Sequence, residues 1–363
     1  MRVILSCGGT GGHIYPAIAI ADKIKENDPE AEILFIGTKK GMENRIVPDA
    51  GYRIEGIDAS GFNRKNLMAN VETLKNLRAG SKEANEIIKE FKPDVVIGTG
   101  GYVTGTVLTV AHRHSVPCFI HEQNAIPGMA NRLISEYANG VFISFEGTGS
   151  SFRHPNRVYF TGNPVRSEFQ KLDKFECRKK LGIADDEVMV LATGGSLGAA
   201  VLNREIVQLV NELTLSKIKI FFVTGKRYYD EIKAQCKGKQ VTLIDYADNM
   251  PELISAADLV VSRAGAIAVS EITASGKPSV LVPSPNVTNN HQYFNAKKIA
   301  DEGAALLVEE KNLAEGEAVL ASEILSLLAR PESLLSMAAN AARIGKTDAA
   351  DAIYAKLCEL LKK

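Results

Sequence analysis

Short apolar runs alternate with longer amphipathic stretches over nearly the whole chain. In the first half the runs fall at residues 2–6, 32–36, 94–97, 117–121, 140–143 and 157–160; in the second they fall at 187–192, 219–223, 241–244, 258–261, 279–282 and 304–307. Runs this short and rich in Val, Ile and Leu predict strands buried on both faces, and the stretches between them predict helices that cover those faces. The order is the βαβα pattern of parallel sheets, an α/β fold with about six strands in each half. Beyond the last run, further helical segments are expected at 312–328, 331–342 and 347–361.

Glycines punctuate the two halves in the same way. VILSCGGTGG (3–12) opens the first and VMVLATGGSLGA (188–199) the second, each an apolar run that passes through glycines into a helix. Later, DVVIGTGGYVTG (94–105) is answered by DLVVSRAGAIAVSE (258–271). This predicts two Rossmann-like domains, 1–162 and 163–344, joined near the Asn-Pro turn of Thr161-Gly-Asn-Pro-Val165, with the final helix, 345–363, rejoining the first. Ligands of such sheets collect at the carboxyl ends of strands, so two facing sheets imply one cleft.

A strand that ends in glycines and turns into a helix offers unpaired N–H groups and a positive dipole end, which suits a phosphate or diphosphate. One glycine-rich turn is common in any α/β fold; four at equivalent places point to function. The dinucleotide fingerprint fails, because Ile14 stands where its third glycine belongs and Gly37-Thr38-Lys39 where its acidic residue belongs. A P-loop fails as well, since no glycine precedes Gly225-Lys226 or Gly345-Lys346 at the required offset. No D-x-D element is available to chelate a divalent ion, so a diphosphate would be met by helix termini and cations such as Arg166 or Arg263, which predicts a site without metal or cofactor. His112 and His114, two residues apart on a helix, face apart and read as a solvated helix end.

Lys+Arg and Asp+Glu balance at 43 each, which gives a nucleic-acid partner no electrostatic support. Five scattered cysteines without a C-x-x-C pair indicate neither a disulfide framework nor a zinc site. The N-terminal apolar run is too short for a signal peptide, and no stretch reaches the roughly 20 apolar residues of a membrane span. A reducing, intracellular setting is expected.

The segments GGTGGHIYP, GTGGYVTG, HEQNAIPG, GNPVR, GGSLGA, SRAGAIAVSE and HQYFNA follow one another between residues 8 and 296. Together they closely resemble the MurG family, N-acetylglucosaminyltransferases of peptidoglycan synthesis, and the likeness covers most of the chain. The resemblance implies a GT-B fold, two Rossmann-like domains facing each other across a cleft. It also implies transfer of N-acetylglucosamine from UDP-N-acetylglucosamine to the C4 hydroxyl of lipid I, the undecaprenyl-linked N-acetylmuramoyl-pentapeptide, to give lipid II with inversion. Such an enzyme sits peripherally on the cytoplasmic side of the cell membrane, against an anionic surface and beside other proteins of cell-wall synthesis and division.

Carried over position by position, the resemblance assigns donor contacts to Thr10, Gly11, Gly12, Asn124, Arg166 and Ser196. Ala247 stands where the family touches uracil through its main chain, and this side chain departs from the usual isoleucine. Ala266, Ile267, Ala268, Val269, Ser270 and Glu271 match the helix start under the nucleotide, Glu271 as the ribose carboxylate. Gln292 matches the sugar-recognising glutamine.

An inverting displacement needs a base on one face of the sugar and charge stabilisation on the other. His13, where a helix dipole disfavours imidazolium, reads as the base, with helix capping or phosphate contact as the alternative. Tyr102, His121 and Glu122 are expected on the acceptor side, or else in the core. Residues 62–78, with Leu67, Val71 and Leu74 at helical spacing among Arg64, Lys65 and Lys75, suit a membrane surface, or a helix packed on its own sheet. Rival functions in the same architecture are a UDP-N-acetylglucosamine 2-epimerase and a non-catalytic two-domain binding protein.

Overall fold

The computed structural model describes residues 1–60, 70–195, 198–213, 217–313 and 317–362. The chain divides into two compact units, Met1–Val165 with Asp348–Lys363, and Arg166–Thr347.

The first unit is built on strands β1 (Arg2–Cys7), β2 (Glu32–Thr38), β3 (Arg53–Ile57), β4 (Val95–Gly100), β5 (Cys118–Glu122), β6 (Gly140–Ile143) and β7 (Val158–Phe160). They pair in parallel in the order β3-β2-β1-β4-β5-β6-β7, so the order reverses between β1 and β4, where doubly wound sheets bind ligands. Helices α1 (Gly11–Asn27), α2 (Glu43–Asp49), α3 (Asn70–Phe91), α4 (Tyr102–Arg113) and α5 (Met129–Ile134) connect them. Alternate residues of one strand feed opposite cores: Val3 and Leu5 pack with Ile14, Ile20 and Phe119, whereas Ile4 packs with Ile88, Val107 and Ile120. Burial on both faces is what makes the strands read as unbroken apolar runs. β3 was not expected, and it makes this sheet seven-stranded. As an edge strand it pairs only with β2 and leaves Arg53 and Glu55 exposed, so it lacks an apolar run.

The second unit repeats the plan. Strands β8 (Val188–Thr193), β9 (Ile218–Val223), β10 (Val241–Ile244), β11 (Leu259–Ser262), β12 (Ser279–Leu281) and β13 (Ala305–Leu307) form a parallel sheet in the order β10-β9-β8-β11-β12-β13, reversing between β8 and β11. Around it lie α6 (Lys174–Leu181), α7 (Ala200–Glu212), α8 (Tyr229–Gln235), α9 (Met250–Ala256), α10 (Ala266–Ala274), α11 (His291–Asp301), α12 (Val319–Leu328) and α13 (Pro331–Ile344). α12 starts later than its apolar pattern suggests, because residues 310–312 form a separate 3-10 turn.

The last helix, α14 (Ala349–Leu361), returns to the first unit and packs on α1. Its Ile353 and Leu357 are fully buried in the same core as Ile20 and Phe119, and Asp351 pairs with Lys23 at 2.9 Å.

At the carboxyl edge of the first sheet Glu43 is wholly buried. Its Oε1 accepts from the Thr38 backbone N–H at 2.9 Å and from the Thr38 hydroxyl at 2.6 Å, and its Oε2 accepts from the Gly9 N–H at 3.2 Å. One carboxylate thereby ties the end of β2 to the glycine loop after β1. Burial alone would push the Glu43 carboxyl up, but the hydrogen bonds outweigh it and hold the pKa below its ordinary 4.5.

Leu357→Ala removes a buried side chain from the first unit's core and is expected to destabilise that unit by about 2–5 kcal/mol, seen as a lower urea midpoint. A group whose folded pKa is depressed stabilises above its unfolded pKa and loses that contribution as pH falls through the folded value. The melting-temperature gap between the native chain and Glu43→Gln is therefore expected to be wide near neutral pH and to close below the ordinary carboxyl value of 4.5; a pH-independent gap counts against an ionised Glu43.

Candidate functional site

In the second unit the chain leaves β8 through Gly194, Gly195, Gly198 and Ala199 before α7. Gly195 and Gly198 have φ of 83° and 72°, a region that favours glycine. A Cβ on Gly198 would lie 2.3 Å from the Thr224 carbonyl oxygen, and one on Gly194 would lie 2.6 Å from the Ala199 nitrogen. Glycine here is a requirement of close backbone approach. After β11 a second turn, Arg263-Ala264-Gly265, leads into α10.

Neither α7 nor α10 has a side-chain N-cap or an acidic residue in its first turn. Both starts open on one cavity of about 370 Å³, lined by Gly194, Gly195, Gly198, Ala199, Ser262, Arg263, Gly265, Ala268, Ser284 and Gln292. Backbone N–H groups from two helix starts and the Arg263 guanidinium, itself paired with Glu310, suit this cavity to an anion. Arg263 is braced by the Val282 carbonyl at 3.0 Å and by Glu310 at 2.5 Å. Gln292, in the first turn of α11, accepts the Ser284 N–H at 2.9 Å through its amide oxygen, which leaves its NH₂ for a ligand.

Of the donor residues expected in this unit, Ala268 and Gln292 line the cavity, and Ser196 lies outside the described residues. Ala247 is half-buried in the loop after β10. Ala266, Val269 and Glu271 are buried in α10, with Ile267 and Ser270 half-buried between them. Arg166 and Glu271, read separately as phosphate and ribose contacts, are here joined: Arg166 Nε and Nη2 each lie 3.0 Å from Glu271 Oε1. Burial pushes the Glu271 carboxyl up, and the guanidinium offsets this only in part. Ser262 and Ser284 are not singled out by the sequence; their only signal is position, one and two residues beyond the apolar runs 258–261 and 279–282.

In the first unit two glycine turns interlock at the sheet's reversal. The Gly8 N–H donates to the Gly100 carbonyl at 3.2 Å, and a Cβ on Gly101 would lie 2.5 Å from the Gly8 oxygen. Thr10 is the N-cap of α1 without a side-chain cap bond, followed by Gly11 and Gly12. His13 Nδ1 sits 3.0 Å from the Gly8 carbonyl oxygen. A carbonyl can only accept, so in the neutral ring this bond puts the proton on Nδ1 and the lone pair on Nε2. Thr99 Oγ1 donates to the His13 carbonyl at 2.7 Å and anchors the helix start.

For two of the residues expected on the acceptor side or else in the core, the structure favours the core. His121 is fully buried on β5, with Nε2 3.2 Å from the Gly162 carbonyl and Nδ1 3.0 Å from Gln123 Nε2. Burial lowers its pKa to about 4, so it is neutral and supports the strand end. Glu122, also buried, accepts from the Asn124 and Gly128 N–H groups at 3.0 Å each and from Asn131 Nδ2 at 2.8 Å. It shapes the loop that carries Asn124, whose own Nδ2 also donates to it at 3.3 Å. Tyr102, at the start of α4, is 69% exposed and free to meet a ligand. Of the segment read as membrane-facing, residues 62–69 lie outside the described residues.

Residues 3–143 match the glycosyltransferase family 28 N-terminal domain, and residues 189–353 match the family 28 C-terminal domain. A protein of Alkaliphilus oremlandii, named UDP-N-acetylglucosamine--N-acetylmuramyl-(pentapeptide) pyrophosphoryl-undecaprenol N-acetylglucosamine transferase, is 43% identical over the whole of both chains. One of the same name from Acetivibrio thermocellus is 44% identical, over 100% of this chain and 99% of its own. Among solved structures, Acinetobacter baumannii MurG aligns with a TM-score of 0.79 at 27% identity, over 99% of each chain. UDP-GlcNAc 2-epimerase of Neisseria meningitidis, solved with UDP-GlcNAc bound, shares the fold with a TM-score of 0.70 at 16% identity, over 99% of this chain and 100% of that one. With two parallel Rossmann-like sheets, both family 28 domains and full-length relatives above 40% identity, the chain belongs to the MurG family of GT-B glycosyltransferases.

Proposed function

We propose that this protein moves N-acetylglucosamine from UDP-N-acetylglucosamine to the C4 hydroxyl of lipid I, forming lipid II of peptidoglycan with inversion at the anomeric carbon. The observation that carries the reading is the cavity on which two uncapped helix starts, Arg263 and Gln292 converge, in a chain whose full-length relatives are named for that transfer. The donor diphosphate belongs at the starts of α7 and α10, and the sugar at Gln292. As the bond from C1 to the β-phosphate oxygen breaks, charge collects on UDP, and fixed N–H dipoles with Arg263 stabilise it. Ser196 would add to this loop. Glu271, held by Arg166, is the ribose carboxylate, and the main chain at Ala247 meets the uracil.

His13 is the base: the Nε2 lone pair takes the proton of the attacking hydroxyl. Thr10, Gly11, Gly12 and Asn124 complete the donor contacts, and Tyr102 is the acceptor-side residue. The lipid-linked acceptor sets the place of work, peripherally at the cytoplasmic face of the cell membrane; among the described residues no helix is long and apolar enough to cross it.

Transfer of radiolabel from UDP-N-acetylglucosamine to a lipid I analogue tests the activity, and an N-acetylmannosamine product without acceptor would replace it by epimerisation. His13→Ala is expected to slow transfer by about 10²–10⁴-fold while calorimetry shows near-native donor binding; unimpaired transfer removes His13 from the role. Gly198→Ala, which strains a left-handed backbone and drives a methyl at the Thr224 carbonyl, is expected to cost about 1–3 kcal/mol of stability and to weaken UDP binding. Native UDP affinity in that variant would move the diphosphate elsewhere.

A further inference from the structure

Glu43 and His13 act on opposite ends of one peptide group. The N–H of Gly9 donates to Glu43 Oε2 at 3.2 Å, and the carbonyl of that same peptide, which is Gly8's, accepts from His13 Nδ1 at 3.0 Å. The order is carboxylate, amide N–H, amide C=O, imidazole N–H. A negative charge at the nitrogen end of an amide draws electron density toward its oxygen and makes that oxygen a stronger acceptor, as in any hydrogen-bonded chain in a dry interior.

The surroundings are shaped for this carboxylate. A Cβ on Gly8, Gly37 or Gly41 would lie 2.8, 2.6 or 2.1 Å from an atom of Glu43, so three glycines leave room for one side chain. The two Thr38 donors take the other oxygen, which fixes the carboxylate's rotation and turns Oε2 to the loop. Among the described residues, His13 Nε2 has no hydrogen-bond partner.

We propose that Glu43 is a positioning residue for His13: through the Gly8–Gly9 peptide it holds the imidazole as the Nδ1–H tautomer and keeps the Nε2 lone pair for the acceptor hydroxyl. The proposal rests on His13 being the base. No proton passes to Glu43; the coupling is electrostatic. A carboxylate that merely stapled the loop would cost stability when removed and leave the tautomer alone.

The test is ¹⁵N NMR of the histidine-labelled full chain at a pH where the ring is neutral, with the His13 signals assigned by their loss in His13→Ala. The native ring is expected to show a protonated Nδ1 and a bare Nε2. Glu43→Gln is expected to give a tautomer mixture, with kcat for transfer down about tenfold and KM for UDP-N-acetylglucosamine within about twofold of native. A tautomer unmoved by the substitution, at whatever rate, or one that moves with kcat unchanged, overturns the proposal. If Glu43→Gln does not fold, Glu43→Asp, whose shorter carboxylate withdraws from the Gly9 N–H, carries the same readout: a tautomer shift with lower kcat is expected and an unmoved tautomer overturns the proposal, as does an Nε2–H ring in the native chain. Full transfer by His13→Ala would instead sink the base assignment, and the spectra would still report whether Glu43 sets the tautomer.

Discussion

The first turn of an α-helix has N–H groups that no carbonyl of its own can reach, and where each sheet reverses its strand order this protein leaves them open. α1, α4, α7 and α10 follow the two central strands of each sheet, β1, β4, β8 and β11, and all four begin without a side-chain cap or an acidic first turn. α6, away from these strand ends, is closed by Asp173, which accepts the N–H groups of Phe175 and Glu176. A cap satisfies a helix start locally; its absence leaves about half an elementary charge of positive potential facing outward. Glycines are the corollary, since backbone without Cβ atoms lets a ligand come close to those amides.

That constraint explains what the sequence made legible. Strands between two layers of helix must be apolar on both faces, so all six strands of the second unit stood out as runs. β3 did not, because exposed Arg53 and Glu55 alternate with its apolar residues and break the run. The glycine turns were readable for the same reason the site exists, a shortage of Cβ atoms at strand ends. Glu43 was not: its importance arises when α2 folds back under β2, and nothing near it in the chain announces the Gly9 N–H. His121 left two readings open, acceptor side or core. It sits in a motif with Glu122 and Asn124, yet every residue of β5 is buried, and a histidine inside such a strand braces its neighbours.

The two units share strand order and glycine placement and put them to different chemistry. In the second, Arg263 adds a cation and Gln292 an amide to a pair of bare helix starts. In the first, the equivalent turn carries an imidazole whose Nδ1 is spoken for by its own loop. One supersecondary pattern thus presents either a guanidinium and an amide or an imidazole, depending on what three or four side chains supply.

The docking of α14 in the first unit has a consequence for biosynthesis. Ile353 and Leu357 fill a core otherwise composed of residues 3–142, so the domain translated first lacks part of its interior until residues 349–361 are made. The second unit, contiguous from Arg166 to Thr347, emerges complete before then. Ribosome stalling or proteolytic loss of the final 15 residues (349–363) would leave an apolar furrow beside α1, the kind of surface that chaperones hold and proteases clear.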